Sequence, residues 1–393
     1  MSRPLLIIFL TIFVNLVGFG IIIPLLPFYA ETFGASPVVI GLLFAVFSLC
    51  QLVAAPVLGD ASDRYGRRPV LIFSLAGTVV SFVLLALAHS LAMLFVARII
   101  DGLSGGNIST ARAYVADITE PKDRARAYGL IGAAFGLGFI LGPALSGVLA
   151  HISYTAPIWA AAAITLVATL MAWRWLPETV HRAHAGVGNP FRYLPRLVER
   201  PSIRRVLVID FMYWCAFAVF QTTFGLFVAR RFGFDASRTG YFLAVFGLLG
   251  AIIQGALIRP VVRRLGDKPT FILGLGCAAV GLVAAALAHS VTVFALTLVP
   301  LAFGIGFGHP TMASLVSLAA RGDEQGRVQG AASAVESLGR TVGPIWGSAS
   351  LQHVDESAPY ISAALLLLLT FLFSVGFRVG DRETSIPESV PAR

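Results

Sequence analysis

Residues Gly59–Pro69 read GDASDRYGRRP, three arginines and two aspartates set between long apolar runs. Only 12% of the 393 residues are charged and 57% are hydrophobic, whereas a soluble globular domain carries about 25% charge. The stretch is therefore a polar connection between segments that are not built for water. On both sides the apolar residues come in runs of roughly 20, enough at about 1.5 Å per residue to cross about 30 Å of hydrocarbon. Backbone in lipid must bond within its own segment, and runs this long and uniform suit helices rather than barrel strands. The composition predicts an all-α integral membrane protein.

Twelve hydrophobic spans are expected. They lie near 5–29, 38–58, 70–89, 91–113, 128–150 and 156–176, then near 206–229, 239–258, 270–288, 291–318, 328–350 and 359–378. The first run is too long for a signal-peptide core and no small-residue cleavage site follows it, so it reads as a retained span. Cys50, Cys215 and Cys277 fall inside apolar runs, with neither metal-site spacing nor the pattern of a disulfide framework.

The polar loops alternate in charge. One set holds Arg64, Arg67 and Arg68, then Lys122, Arg124 and Arg126, then the arginines of 182–205, then Arg259, Arg263, Arg264 and Lys268, then Arg321 and Arg327. The other set is short, and its basic residues are Arg230, Arg231 and Arg238. The excess of Arg and Lys places the first set, and both termini, in the cytoplasm of a cell whose inner (plasma) membrane holds the chain. This asymmetry accounts for the net charge of +9 and leaves no need for a nucleic-acid partner.

The two sets of spans repeat each other. GLLFAVF at 41–47 answers GYFLAVF at 240–246, YGRRP at 65–69 answers LGDKP at 265–269, LALAHS at 85–90 answers AALAHS at 285–290, and LGPALSG at 141–147 answers VGPIWGS at 342–348. The expected organisation is a six-helix bundle over 1–176, a cytoplasmic linker over 177–205, a second six-helix bundle over 206–378 and a cytoplasmic tail over 379–393. The linker is rich in Pro and Arg, and part of it suits a basic amphipathic helix on the membrane surface. A parallel repeat of this size is a transporter pattern, with the substrate site between the halves.

GDASDRYGRR resembles the loop motif of the major facilitator superfamily, Gly-x-x-x-Asp-Arg-x-Gly-Arg-Arg, and joins spans 2 and 3 as that family requires. Positive-inside bias alone explains the arginines but not Gly59, Asp63 and Gly66 at those spacings. The resemblance implies a cytoplasmic gate made of Gly59, Asp60, Asp63, Arg64, Gly66, Arg67, Arg68 and Asp117. In it, Gly59 admits a neighbouring helix and Gly66 forms a tight turn. Asp63 sits at the start of span 11 near Arg327 and Val328, favoured by the helix dipole, and Arg64 or Arg67 pairs with Asp117. The network is implied to hold the outward-facing state closed on the cytoplasmic side. RPVVRRLGDKP in the second half lacks the aligned acid, so the gate is expected to be asymmetric.

GLGFILGPALSG in span 5 supplies Gly138, Gly142, Pro143 and Gly147. Small residues at this spacing serve close helix packing. The whole pattern also resembles the fifth-helix motif of the antiporter branch, which implies export. RIIDG in span 4 matches the family's Arg-x-x-x-Gly motif. It places Arg98 and Asp101 near mid-membrane, where ionisable groups are costly and are functional candidates by default. Asp101 is read as a proton carrier with Arg98 beside it, against the alternative of a mutually satisfied i,i+3 pair. Glu336 and Arg340 share a face of span 11 at i,i+4, and Asp210 lies about six residues into span 7. All three are candidates for proton or substrate contact. Asn15, Phe19, Tyr213, Trp214, Phe217, Gln221 and His309 are expected to line the cavity.

The resemblance covers nearly the whole chain and is nearest to tetracycline-type drug:proton antiporters. Those exporters also carry acids inside spans 1, 3 and 9, where this chain has Asn15, Ser81 and Ala278. This weighs against tetracycline itself and moves the proton site elsewhere. "GLSGG" lacks the lysine of a nucleotide-binding loop, and no nucleophile–base set or metal cluster appears, so neither ATP-driven transport nor an enzyme is indicated. The expectation is a monomeric, cofactor-free, proton-coupled exporter of amphipathic or hydrophobic small molecules. A lipid or glycolipid flippase, a sugar or organic-acid importer and a non-transporting receptor stand as alternatives.

Overall fold

The structure of the protein, a computed structural model, describes residues 3–105, 107–120, 124–179, 190–320 and 324–376. The tail at 379–393 and the middle of the expected linker, 180–189, lie outside the described residues. Among the described residues every regular element is helical, with fifteen α-helices, one π-turn and no strand. The first half comprises α1 (Arg3–Glu31), α2 (Pro37–Tyr65), α3 (Arg67–Ala86), α4 (Leu91–Ser104), α5 (Asn107–Ile118), α6 (Arg124–Ala150) and α7 (Ala156–Trp175). A short α8 (Pro190–Val198) leads to α9 (Pro201–Phe232), α10 (Ala236–Ile252), the π-turn Ile253–Leu257, α11 (Ile258–Leu265), α12 (Asp267–Ala286), α13 (Val291–Ala319), α14 (Gln325–His353) and α15 (Ala358–Val375).

Among the described residues nine helical stretches are long and apolar enough to cross a membrane, with α10, the π-turn and α11 counting as one. The two long helices outside that set, α9 and α14, have 32 and 29 residues and carry much of the polar chemistry described below. Large apolar side chains such as Phe73, Val280 and Leu296 are exposed on outer faces, as lipid contact requires and water forbids.

Local signals set the helix ends. Ser36, Ser90, Asp235 and Ser290 each accept a hydrogen bond from the backbone N–H three residues on, capping α2, α4, α10 and α13. The repeated "AHS" is therefore a repeated cap. Pro201 at the first turn starts α9, five residues before the span expected at 206. Arg204 and Arg205 hide that first turn from hydropathy, because helix continues past the point where lipid stops. Leu194, Leu197 and Val198 of α8 pack on the second half's core, so the apolar face of α8 meets protein.

The π-turn has a clear origin. GLLFAVF and GYFLAVF are offset by 199 residues (240 less 41), whereas YGRRP and LGDKP are offset by 200 (265 less 65). One extra residue has entered the second half between these motifs, and a π-bulge is how a helix absorbs a single insertion.

The halves meet by crossing their repeated motifs. A Cβ on Gly41 of α2 would lie 2.5 Å from the Pro344 carbonyl oxygen of α14, and one on Gly240 of α10 would lie 2.7 Å from that of Pro143 in α6. At the same end, the Val38 N–H donates to Gln352 Oε1 (3.0 Å) and Arg230 donates to the Leu351 carbonyl (3.2 Å). This end of the molecule is closed.

Candidate transport cavity

Between the halves lies a cavity of ≈ 980 Å³. Its walls come from both halves, and at its mouth Gly59, Asp60 and Asp63 of α2 face Gly326, Gln329 and Gly330 of α14. Of the residues expected to line it, Asn15, Phe19, Trp214, Phe217, Gln221 and His309 do so, together with Asp101, Asp210, Glu336 and Arg340. Tyr213 does not. It is 2% exposed and packs behind the wall, its ring 5.4 Å from His309 and 5.7 Å from Phe271. Neighbouring helical residues point about 100° apart, so Trp214 on the cavity leaves Tyr213 facing α12 and α13. Gly308 makes room for its hydroxyl, which a Cβ there would approach to 2.5 Å.

Two ionisable clusters sit deep in this site. In the first half, Arg98 Nη1 donates to Asp101 Oδ2 at 2.9 Å. The guanidinium lies 4.2 Å from the Phe47 ring centroid and is 1% exposed. Asp101 faces the cavity and Arg98 stands behind it. In the second half, Asp210 interacts electrostatically with Glu336 and Arg340. Asp210 is fully buried, with the Trp214 side chain beside its carboxylate. Arg340 Nη2 donates to Ser337 Oγ and to Gln51 Oε1, both at 3.3 Å, and the guanidinium is 5.5 Å from the Trp214 ring. Gln51 Nε2 in turn donates to the Gly105 carbonyl at 3.0 Å. Gln51 thus ties α14 to Gly105 at the end of α4, linking the two halves. His309 stacks on Trp214 at 4.7 Å, with Phe217 edge-on at 5.0 Å. Phe47, Gln51, Phe139 and Phe246 also line the site, and sequence reading missed them. The repeat offered a signal: Phe47 and Phe246 are the same position of the two matching motifs.

The Gly59–Pro69 loop forms a network within its own half. Asp63 pairs with Arg67, whose Nε donates to Asp117 Oδ2 at 3.2 Å and whose Nη1 donates to Ser62 Oγ at 2.7 Å. Arg68 donates to the Trp173 carbonyl, and Arg64 is exposed. Two of the contacts expected of the closed gate are not formed in this structure. Nothing lies within 4 Å of a Cβ on Gly59, because the cavity mouth opens there and no helix approaches. Asp63 is paired inside its own half rather than set at the start of α14, for the same reason. At this loop the carboxylate that caps a helix is Glu178, at α3. Gly66 turns the chain at φ 107°, and the Arg67 and Arg68 N–H groups donate to Glu178 at 2.9 and 3.1 Å. Nothing in a lone Pro-Glu-Thr marked Glu178.

The glycines of α6 divide between two neighbours. A Cβ on Gly138 would lie 2.6 Å from Leu16 Cβ, and one on Gly142 would lie 2.7 Å from Gly20 Cα, both on α1. Pro143 and Gly147 meet α10 across the half boundary. Ser81 and Ala278, which stand where the resembling exporters carry acids, are packed: Ser81 Oγ donates to the Ala97 carbonyl at 2.8 Å, and a Cβ on Gly304 would lie 2.5 Å from Ala278 Cβ. Among the described residues no group of His, Cys, Asp and Glu is arranged to hold a metal ion.

Ionisable groups from both halves converge on one deep cavity between repeated helical bundles, the architecture of a membrane transporter. The chain belongs to the Major Facilitator Superfamily, whose family model matches residues 8–344 and 256–392. It is 34% identical to the class G tetracycline resistance protein of Vibrio anguillarum over 382 residues, covering 94% of this chain and 96% of the relative. It is 33% identical to the class C tetracycline resistance protein of Escherichia coli, covering 88% of each. Among solved structures it resembles the human organic anion transporter MFSD10 (TETRAN), at 26% identity and a TM-score of 0.74, covering 95% of this chain and 99% of that one. The protein is a transporter and not an enzyme.

Proposed function

We propose that this protein is a proton-coupled exporter of amphipathic or hydrophobic small molecules, working by alternating access in the inner (plasma) membrane as a monomer. The observation that carries the reading is the cavity itself. Aromatic and apolar walls (Phe19, Trp214, Phe217, Phe220 and Phe246) surround Asp101, Asp210, Glu336 and Arg340. A greasy wall with a few convergent polar groups binds lipophilic solutes, and buried carboxylates at membrane depth are the groups able to exchange protons. The tetracycline resistance relatives support drug export.

In this reading twelve spans cross the membrane, with α4 and α5 forming one crossing and α9 and α14 completing the set. The arginine-rich loops put both termini in the cytoplasm, so the open mouth at Gly59 and Gly326 faces inward. Closure at Gly41 and Gly240 seals the outer side, and the Asp63–Arg67–Asp117 network awaits α14 in the opposite state. Tetracycline itself is not expected among the substrates, because Asn15, Ser81 and Ala278 offer no acid to a metal–drug complex.

The test is efflux of lipophilic cations, neutral dyes and tetracycline from proteoliposomes, with and without an imposed pH gradient. Gradient-driven movement of several dyes is expected. Movement of tetracycline alone would make it a narrow exporter. No dye or tetracycline movement under any gradient would overturn the reading in favour of a lipid flippase or another carrier.

A further inference from the structure

The second-half loop RPVVRRLGDKP has no role in the cavity. Its residues correspond at an offset of 200 to the first-half loop: Arg259 to Gly59, Arg263 to Asp63, Gly266 to Gly66 and Asp267 to Arg67. The charges at the second and fourth of these positions are inverted. The orientation differs as well. Gly59, Asp63 and Arg67 line the central cavity, whereas Arg259, Arg263 and Asp267 line a separate groove of ≈ 330 Å³ with Ile258, Val262 and Pro310. The π-turn at Ile253–Leu257, where the helix takes up the inserted residue, lies directly before these positions. Gln254, within the π-turn, still faces the cavity, and the arginines after it do not.

Arg259 and Arg263 lie four residues apart and so share a face of α11. Both are exposed, and neither has an ion-pair or hydrogen-bond partner among the described residues. Among the described residues the groove they line holds one carboxylate, Asp267, which forms no ion pair with either, so the balance of these residues is positive. Its remaining walls are largely apolar. The groove lies at the end of a 30-residue apolar span, Ala236–Leu265, on a helix run that exposes Ile252 and Leu257. Apolar walls, two unpaired guanidiniums and a position where a span leaves the bilayer fit one occupant. That occupant presents a phosphate to the arginines, which suit its oxygens as two-pronged donors, and lays hydrocarbon along Ile258 and Val262. We propose that this groove binds the headgroup of an anionic phospholipid of the leaflet around α11. Basic pockets between membrane helices recognise such headgroups.

The experiment measures lipid retention by the intact purified protein, using native mass spectrometry after reconstitution in phosphatidylcholine with a fraction of phosphatidylglycerol. The wild type is expected to retain phosphatidylglycerol selectively. Arg259→Gln with Arg263→Gln should retain it about thirtyfold less, and the paired Lys variants should fall between. Arg204→Gln with Arg205→Gln removes the same charge from exposed positions on α9, outside the groove, and should retain it like the wild type. Equal loss in the two Gln pairs, or loss in neither, would overturn the proposal. Displacement of the lipid by millimolar inorganic phosphate would also overturn it, showing a free-anion site. Retention is read without transport, so failure of the export reading would leave this result intact.

Discussion

Gly41 of α2 rests on the backbone of Pro344 in α14, as Gly240 of α10 rests on Pro143 in α6. The two contacts are the same contact made twice, each half presenting one motif and receiving the other. Any side chain at Gly41 would meet backbone, which cannot rotate away. Gly41→Val is therefore expected to cost about 1–3 kcal/mol as overpacking and to pry the closed end open. With the three native cysteines replaced by serine, a cysteine at Ser348 should react faster with an impermeant thiol reagent in the Gly41→Val protein. Unchanged reactivity would show that this crossing does not hold the closed end.

The turn at Gly66 rests on two separate requirements. Its φ of 107° strains any residue with a Cβ, by about 1–3 kcal/mol. Its neighbour Glu178 supplies the acceptor that α3 lacks, and losing such a cap costs about 1 kcal/mol. Gly66→Ala and Glu178→Gln should each lower the thermal midpoint of the purified protein, the first by more. A midpoint unmoved by Glu178→Gln would mean that water replaces the carboxylate.

Asp63 and Asp117 both meet Arg67. Partly exposed pairs contribute about 0–1 kcal/mol each, so Asp63→Asn should fold with its thermal midpoint nearly unchanged. Its transport rate in reconstituted vesicles should fall several-fold, because a network formed fully in one state biases an equilibrium between states. Wild-type rates would remove the gate.

Gln51 holds Arg340 across the half boundary and the Gly105 carbonyl within its own half. Gln51→Ala removes two hydrogen bonds worth about 1 kcal/mol each. The expected outcome is a changed KM for substrate with little loss of assembled protein, since Arg340 is then free to meet solute. A KM equal to wild type would confine Gln51 to packing.

Asp101 pairs with a buried Arg98 yet reaches the cavity. Asp101→Asn keeps the shape and removes the titrating group. Transport by this variant is expected to lose its response to an imposed pH gradient while downhill movement persists. A normal response would pass the proton role to Asp210 or Glu336.

Much of this was written in the chain. Apolar runs, arginine-rich loops and the repeats at a spacing near 200 defined a duplicated helical membrane protein, because lipid imposes helix and span length on any sequence that enters it. The acids and arginines of α4, α9 and α14 stood out for the same reason: a charge is conspicuous where hydrocarbon is the solvent. Other features depended on partners distant in sequence. Tyr213 and Trp214 are adjacent residues, and only the packing of α9 against α13 decided which one faced the cavity. Asp63 read as a carboxylate for the start of α14, but the separation of the two helices at the mouth left it with Arg67. Glu178 carried no signal until α7 ended beside Gly66. Arg263 is the counterpart of Asp63 at an offset of 200, yet it lines a different groove. The sequence by itself determined which segments meet lipid, since burial in hydrocarbon is a property of each segment alone. The tertiary structure decided which faces meet each other, since that depends on the rotation and crossing of helices whose ends lie far apart along the chain.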